Sequence, residues 1–487
     1  MLFNSFAFLI FFPIVTLAYF LIPQRFKYLW LLAASYYFYM SWNPQYAVLI
    51  LASTVITFLS GIIISRVKTS AAKKWAVFGS FASNLAILFF FKYFYFTVDN
   101  INAVRALMNL PAYTPKFDII LPVGISFYTF QALSYTADVY RGEVKPEKNF
   151  FKYALFVSFF PQLVAGPIER SKNLLKQVNE EHHFDYLRVR KGLLLMLWGF
   201  FLKLVIADRA AVLVNTVYDD ISAFGGAQIA LATVCFALQI YCDFASYSTI
   251  AIGAAEVMGF NLMQNFKRPY FASSIADFWR RWHISLSTWF RDYLYIPLGG
   301  SRKGTLRKYF NLMVVFLASG LWHGASWHFV LWGALHGFYR IIGDMTKNLR
   351  QNLRAAVGIK STNFIYVLSS RLVTFILVCF AWIFFRSPDM PGAAEAIRRI
   401  FTDFSFDGWA LEKIGFDTAN MWVLLSAVLV LFAVSVWTEK NEKALQKAEN
   451  ANFILRWVMY LVLIFAVLIF GIYGPEFEAS QFIYFQF

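Results

Sequence analysis

The sequence predicts an all-α, polytopic membrane protein, and three features of its composition carry that prediction. Hydrophobic residues make up 59% of the 487 positions, where soluble domains hold about 45–50%. Charged residues make up 15%, against about 25% in a soluble domain. Phe, Tyr and Trp together reach 20%, too many rings to hide inside an aqueous globule without lipid as a second solvent. No polar stretch is long enough to form a soluble module, so residues 1–487 are expected to form a single membrane domain.

The helices can be read off in order from the apolar runs. They lie near Phe6–Ile22, Tyr28–Ser41, Tyr46–Ser65, Trp75–Phe91, Ile119–Tyr135, Tyr153–Val164, Gly192–Ile206 and Ile229–Met258. Later runs fall near Phe310–Leu321, Trp327–Ile342, Leu372–Phe385, Met421–Trp437 and Trp457–Tyr473. A straight span needs about 20 residues, so the shorter runs near Pro122, Pro161 and Pro167 are expected to be broken or re-entrant, giving roughly 11–13 membrane segments. The start, MLFNSFAFLIFF, has no basic n-region and no small-residue cleavage site, so it reads as a retained first helix.

The formal charge is +16, which in a soluble protein would point to nucleic acid. Here Lys and Arg cluster in short loops between apolar runs, the pattern of cytoplasmic loops, so a lipid bilayer is the expected partner and nucleic acid is not. Arg340–Arg371 and Thr438–Arg456 are rich in Lys and Arg and belong inside. By alternation the final helix delivers the tail, residues 474–487, to the outer face of the cytoplasmic membrane. Cys235, Cys242 and Cys379 sit in or beside apolar runs with no CxxC or zinc spacing, and read as packing residues.

Candidate chemistry concentrates in the central third, Leu155–Tyr339, where ionisable residues occur in apolar context. Of six histidines, His182 and His183 lie in the polar loop NEEHHFDYLRVRK and are expected to be solvated. His283, His323, His328 and His336 are embedded among aromatic and apolar residues. Their spacing is not HxxxH and acidic partners are sparse, so no metal site is expected. The segment Ala276–Lys308 is too charged to span and too aromatic for a free loop. If it is helical, Trp279, Trp282, Trp289 and Phe290 face apolar surroundings while Arg280, Arg281 and Arg291 reach phosphate depth. Two readings stay open for it: an interfacial helix held by anionic lipids, or a basic mouth for a phosphate-rich acyl donor such as a coenzyme A thioester. In SGLWHGASWHFVLWGALHG, glycines flank and follow His323 and allow close helix approach. A buried imidazole there can remove a hydroxyl proton while the oxygen attacks a thioester; it can equally tie two helices with a hydrogen bond.

FWRRWHISLSTWFRDYLYIPLGG, LWHG, LPVGISFYTFQALSYTADVYRG and FFPQLVAGPIER together resemble the membrane-bound O-acyltransferase family, in the bacterial branch that includes alginate, cellulose and peptidoglycan O-acetyltransferases. The resemblance implies helices around a central tunnel, with an inner funnel for the acyl donor and an outer opening toward a polymer. It places the family's near-essential histidine on His323 and its second motif histidine on His283. Tyr241 and Asp243 in YCDFASYS fall on another motif, with Ser246 where relatives carry Gly and Thr249 where they carry Asp. Arg280, Arg281, Trp282 and Arg291, with Asp243 and Tyr241, are the candidate donor-binding residues.

The tail FIYFQF, Phe482–Phe487, is apolar at a terminus where polar, frayed residues are usual. A free segment of this kind invites aggregation, so it is expected to be docked. In related envelope systems an aromatic C-terminal motif is thought to present a tyrosine as transient acyl acceptor, which here is Tyr484. The resemblance therefore implies transfer of an acetyl group from a cytoplasmic thioester, acetyl-CoA or a similar donor, to Tyr484 with His323 as general base. His283 would position substrate or stabilise charge. A separate extracytoplasmic transferase would pass the group to a polysaccharide. A transporter or flippase, or D-alanyl transfer to a teichoic-acid-like polymer, are the alternatives; no second copy of WHISLS or LWHG marks the repeated halves of a transporter.

Overall fold

The structure, a computed structural model, describes residues 1–404, 416–441, 443–473 and 482–483. Among these residues the regular structure is helical and contains no strand. Six helices are long and apolar enough to cross a membrane: Tyr46–Arg66, Ser70–Leu107, Gly226–Val257, Phe364–Arg386, Thr418–Lys440 and Phe453–Phe470. Phe6–Leu21 is apolar but shorter. The remaining expected segments fall on helices that are shorter, interrupted or too polar to meet that description. In the last span Val467 alone is buried. In a membrane its other side chains have hydrocarbon for solvent, which accounts for part of the surplus hydrophobicity.

The chain forms two compact units, residues 1–193 with 250–263, and residues 194–249 with 264–487. The first holds α1 (Phe6–Leu21), α2 (Gln24–Met40), α3 (Tyr46–Arg66), α4 (Ser70–Leu107), α5 (Ile125–Arg141), α6 (Phe150–Ser158) and the start of α7 (Tyr186–Phe200). Its core is α5, buried from Ile125 to Val139. The apolar run predicts this helix from Ile119, but it starts at Ile125 because Pro122 and the positive φ of Gly124, 78°, hold the preceding chain out of helix. Gly142, at φ 76°, ends it in a left-handed cap, with the Glu143 N–H donating to the Asp138 carbonyl at 2.9 Å.

Several polar residues of α5 are tolerated inside because they find partners. Thr136 meets Ser80 at 3.1 Å, Gln131 donates to the Phe156 carbonyl, and Asp138 accepts from Ser171 at 2.9 Å. Helix α4 runs past the end of its apolar run through a π-turn at Phe89–Tyr93, carrying Lys92 and Asp99 with it. α6 stops at Ser158, well short of the expected Val164, because turns replace helix around Pro161. The expectation that His182 is solvated is corrected: its ring is buried, 4.3 Å from the Phe260 ring centroid, and its Nε2 lies 2.8 Å from the Gln177 carbonyl. The run of polar letters around it conceals a side chain folded back onto an apolar one. His183 is exposed, as expected.

The second unit holds the end of α7, which continues through a π-turn (Phe201–Ala207) into α8 (Asp208–Asp219), and most of α9 (Gly226–Val257). Then come α10 (Ile275–Arg281), α11 (Ile284–Phe290), α12 (Thr305–His323), α13 (Trp327–Met345), α14 (Lys347–Ala356), α15 (Phe364–Arg386), α16 (Met390–Thr402), α17 (Thr418–Lys440), α18 (Ala444–Glu449) and α19 (Phe453–Phe470). Cys235, Cys242 and Cys379 are buried thiols.

Helices α12 and α13 pack as a tight hairpin because glycines face each other. A Cβ on Gly320 would lie 2.3 Å from the Phe329 carbonyl oxygen, and one on Gly333 would lie 2.3 Å from that of Phe316. Only hydrogen fits there, so the backbones touch. Gly324, just past His323, is covered by the Phe329 ring, 2.1 Å from where a Cβ would sit.

This crossing predicts a graded response to added methyl groups. Gly320→Ala should destabilise the protein by about 1–3 kcal/mol. Gly343→Ala, on α13 with nothing within 4 Å of the new methyl, should be neutral or stabilise by about 0.5–1 kcal/mol. Thermal unfolding of the two variants in detergent checks both signs.

Candidate functional site

The site is built in the second unit from α12 upward. His323 is the last residue of α12, buried at 3% exposure. Trp322 and Trp332 stand edge-on to its ring at 5.0 Å each, and Phe385 of α15 at 5.4 Å. The ring centroid of His283 lies 6.3 Å from that of His323. Two imidazoles from distant parts of the sequence thus share one aromatic, low-dielectric enclosure.

His283 sits between α10 and α11 with φ 43°, a left-handed conformation rare for a residue with a side chain. Asn265 fixes its ring. The Asn265 Oδ1 accepts from the backbone N–H of Ser285 at 3.2 Å and from the Ser285 hydroxyl at 2.9 Å, and it lies 3.1 Å from His283 Nδ1. A backbone N–H can only donate, so this amide atom is the oxygen, and Nδ1 of His283 must carry the proton that points at it. In the neutral ring Nε2 is then the basic nitrogen. The Asn265 amide donates in turn to Ser248 Oγ at 3.1 Å. Phe244 closes one side, edge-on to the His283 ring at 4.7 Å.

The other two embedded histidines make the tying contacts that a buried histidine can serve. His328 Nδ1 donates to the Phe384 carbonyl at 3.0 Å, joining α13 to α15. His336 Nδ1 accepts from the Trp279 indole N–H at 3.2 Å, joining α13 to α10. Among the described residues no group of three or more His, Cys, Asp or Glu side chains is placed to hold a metal ion.

A cavity of about 390 Å³ opens beside these elements. Arg280, Arg291, Lys308 and Arg340 contribute to its lining, and Trp279, Leu286, Phe290, Leu312 and Phe316 form apolar wall. The wall also includes Ile284, next to His283, and Ser319, one helical turn before His323. Lys308 donates to Asp344 and holds that carboxyl below the usual carboxylate range. A larger groove of about 980 Å³ shares Ala276, Arg280 and Arg340 with the cavity and adds Lys347, Arg350 and Arg354. The lining thus combines cationic and apolar side chains, while His283 and His323 are not among its lining residues.

Of the residues singled out in the sequence, Arg280 and Arg291 line that cavity. Arg281, Trp282, Tyr241 and Asp243 are not among its lining residues. The Arg281 guanidinium is engaged by Glu439 through both terminal nitrogens at 3.1 Å, and by Asp277 at 3.1 Å. Trp282 is 1% exposed and packs on Phe266, Phe278 and Trp382, with Tyr241 in the same aromatic cluster. Asp243 takes a different partner: its Oδ1 accepts from Lys203 Nζ at 2.6 Å, and Lys203 also meets Asp208 at 2.9 Å. Its Oδ2 accepts from the backbone N–H of Ile483 at 2.7 Å. The expected docking of the tail holds at the two tail residues described, Phe482 at 1% and Ile483 at 4% exposure. Tyr484 lies outside the described residues.

Sequence reasoning passed over Asn265, Ser285 and Lys203. Lys203 carried a usable signal, a cation inside the apolar run Gly192–Ile206. Asn265 carried none, since its role depends on a left-handed turn bringing residues 265, 283 and 285 together.

Comparison with known proteins adds an independent line. Residues 33–385 match the profile of the membrane-bound O-acyltransferase family. A Pseudomonas syringae pv. tomato protein named probable alginate O-acetylase AlgI is 37% identical over 462 residues, covering 93% of this chain and 85% of that one. The Helicobacter pylori peptidoglycan O-acetyltransferase is 33% identical, covering 82% of this chain and 79% of its own length. The Bacillus subtilis teichoic acid D-alanyltransferase is 24% identical, over 56% of this chain and 70% of its own.

Asn265→Leu would leave the Ser285 N–H, the Ser285 hydroxyl and His283 Nδ1 without the oxygen they share. Each buried donor deprived of its acceptor costs about 1–3 kcal/mol. The variant is expected to unfold at lower temperature than Ser287→Ala, whose hydroxyl makes one long bond of 3.3 Å to the Trp282 carbonyl; calorimetry of the two variants checks the order.

Proposed function

This chain belongs to the membrane-bound O-acyltransferase family and is a multi-pass membrane acyltransferase, and from that premise we propose that it draws an acetyl group from a cytoplasmic thioester, acetyl-coenzyme A, and exports it for polysaccharide O-acetylation. The observation that carries this reading is the cavity lined by Arg280, Arg291 and apolar side chains together, with Ile284, next to His283, and Ser319, one turn before His323, in its wall. Such a lining suits a donor with a phosphate-rich head and a thin thioester arm. Phosphates meet guanidinium groups at the mouth, and the reactive carbonyl reaches a site from which water is excluded.

In the proposed reaction His323 is the general base. It takes the phenolic proton of Tyr484 as that oxygen attacks the thioester carbonyl. The carbon–oxygen bond of a tyrosyl ester forms, the carbon–sulfur bond breaks, and the thiol leaves with the proton returned by the imidazolium. His283, held by Asn265 with its proton on Nδ1, presents Nε2 as an acceptor that positions the substrate. A phenol with a pKa near 10 is a good leaving group, so the ester keeps much of the thioester's reactivity. A separate extracytoplasmic transferase then moves the acetyl group to a polysaccharide hydroxyl. This reading places the protein in the bacterial cytoplasmic membrane with its C-terminus outside. The greater identity and coverage of the alginate and peptidoglycan O-acetylating relatives, against the D-alanyl relative, favour acetate as the group transferred.

Two outcomes test the proposal. His323→Ala should lower polymer acetylation in cells by about 10²–10⁴-fold, the usual worth of a positioned base; acetylation at the wild-type level would remove His323 from that role. Arg280→Ala with Arg291→Ala should raise the KM for acetyl-CoA by about tenfold or more while changing kcat little, as expected when charged hydrogen bonds to a donor's phosphates are lost. Steady-state kinetics with purified protein checks that split.

A further inference from the structure

We propose that Asp243 and Lys203 form a clamp that grips the C-terminal tail by its backbone. Its consequence for transfer rests on the carrier role proposed above for Tyr484.

Asp243 lies within the membrane-spanning helix α9, where a carboxylate is costly unless partnered. It is 3% exposed, and Lys203, on the π-turn after α7, is 1% exposed. Lys203 bonds one Asp243 oxygen, and the other is taken by the Ile483 N–H at 2.7 Å. The tail therefore supplies the donor that completes a buried carboxylate. In a low-dielectric interior an acceptor left empty is heavily penalised, so the docked state is favoured over release.

A second contact selects what is docked. Lys203 Nζ sits 4.4 Å from the Phe482 ring centroid, and Tyr247, one helical turn after Asp243, meets the same ring edge-on at 5.0 Å. Helix α9 thus offers a carboxylate for a backbone N–H and an aromatic edge for a ring on one face. The π-turn also holds the chain upstream of the tail. The Ile472 N–H donates to the Leu204 carbonyl at 3.0 Å, and Arg209, at the start of α8, donates to the Phe470 carbonyl at 2.7 Å. Adjacent positions of one π-turn, Lys203 and Leu204, thus contact Phe482 and Ile472, and such a distortion often marks a functional site. The grip at 483 is on the main chain, so it does not depend on the side chain that position 483 carries. Asp243 and Lys203 act as positioning residues in this scheme, not as contacts to the donor.

Two measurements on the full-length protein in detergent test the clamp. Hydrogen exchange at the Ile483 amide should be at least about tenfold faster in Asp243→Ala than in wild type, the loss expected when one charged hydrogen bond is removed. Unchanged protection would overturn the proposal. Ile483→Pro deletes the donated N–H at a terminal position, whereas Ile483→Ala keeps it. Proline should cut acetyl transfer by at least about tenfold, alanine by less than about threefold, and Asp243→Ala combined with Ile483→Pro should be no worse than the weaker single variant. Equal effects of proline and alanine, or multiplying effects in the double variant, would overturn it. If Asp243→Ala does not fold, the proline and alanine pair decides. Tyr484→Phe separates the two ideas: transfer retained in that variant removes the carrier role, and the clamp is then judged by exchange alone.

Discussion

The contact between α12 and α13 at Gly320 and Gly333 is the constraint on which the site depends. With hydrogen as the only side chain at both positions, the two backbones touch, and the hairpin gains a geometry that larger residues would spread apart. His323 ends one arm of the hairpin, and Trp332 on the other arm supplies part of its enclosure. His336, further along the same arm, reaches Trp279 and ties in α10, which carries Arg280. Widening the crossing would move the imidazole, its aromatic wall and the basic rim of the cavity together.

A second constraint is polar satisfaction in a water-poor interior. Asn265 answers three donors with one oxygen, and in doing so decides which nitrogen of His283 is basic. Lys203 answers two carboxylates, and the tail backbone answers the remaining oxygen of Asp243. A buried charge breaks even only with good geometry and full hydrogen bonding. These networks therefore fix positions as much as they contribute stability. In the proposed route function and folding use the same atoms, because the protein must itself provide what water would otherwise supply.

The helical class, most spans and the aromatic burial of His283 and His323 were legible in the sequence, because apolar length and neighbouring residues are local signals. Boundaries were less so. Helix α5 begins six residues later than its apolar run, since a run cannot show that Gly124 takes a positive φ. Helix α4 continues through Lys92 and Asp99 because a π-turn accommodates them, which hydropathy alone reads as an end. Basic residues were legible as cations but not as partners: Arg280 and Arg291 line the cavity, while the neighbouring Arg281 is taken by Glu439, 158 residues away in sequence. His182 shows the same limit in reverse, a polar-loop residue folded onto Phe260. Asn265 and the Asp243–Lys203 pair depend on contacts between distant segments, and composition carries no record of those.

In the proposed route the acetyl group passes through the protein covalently, from a donor in the cavity, past His323, to a tail that stays docked on Asp243. The most direct measurement is mass spectrometry of the C-terminal peptide after purified protein is incubated with isotopically labelled acetyl-CoA. Labelled acetyl is expected on Tyr484 in the wild-type protein and none in His323→Ala. Labelled polymer formed in the presence of the partner transferase, with the tail peptide unlabelled at every time point, would contradict it.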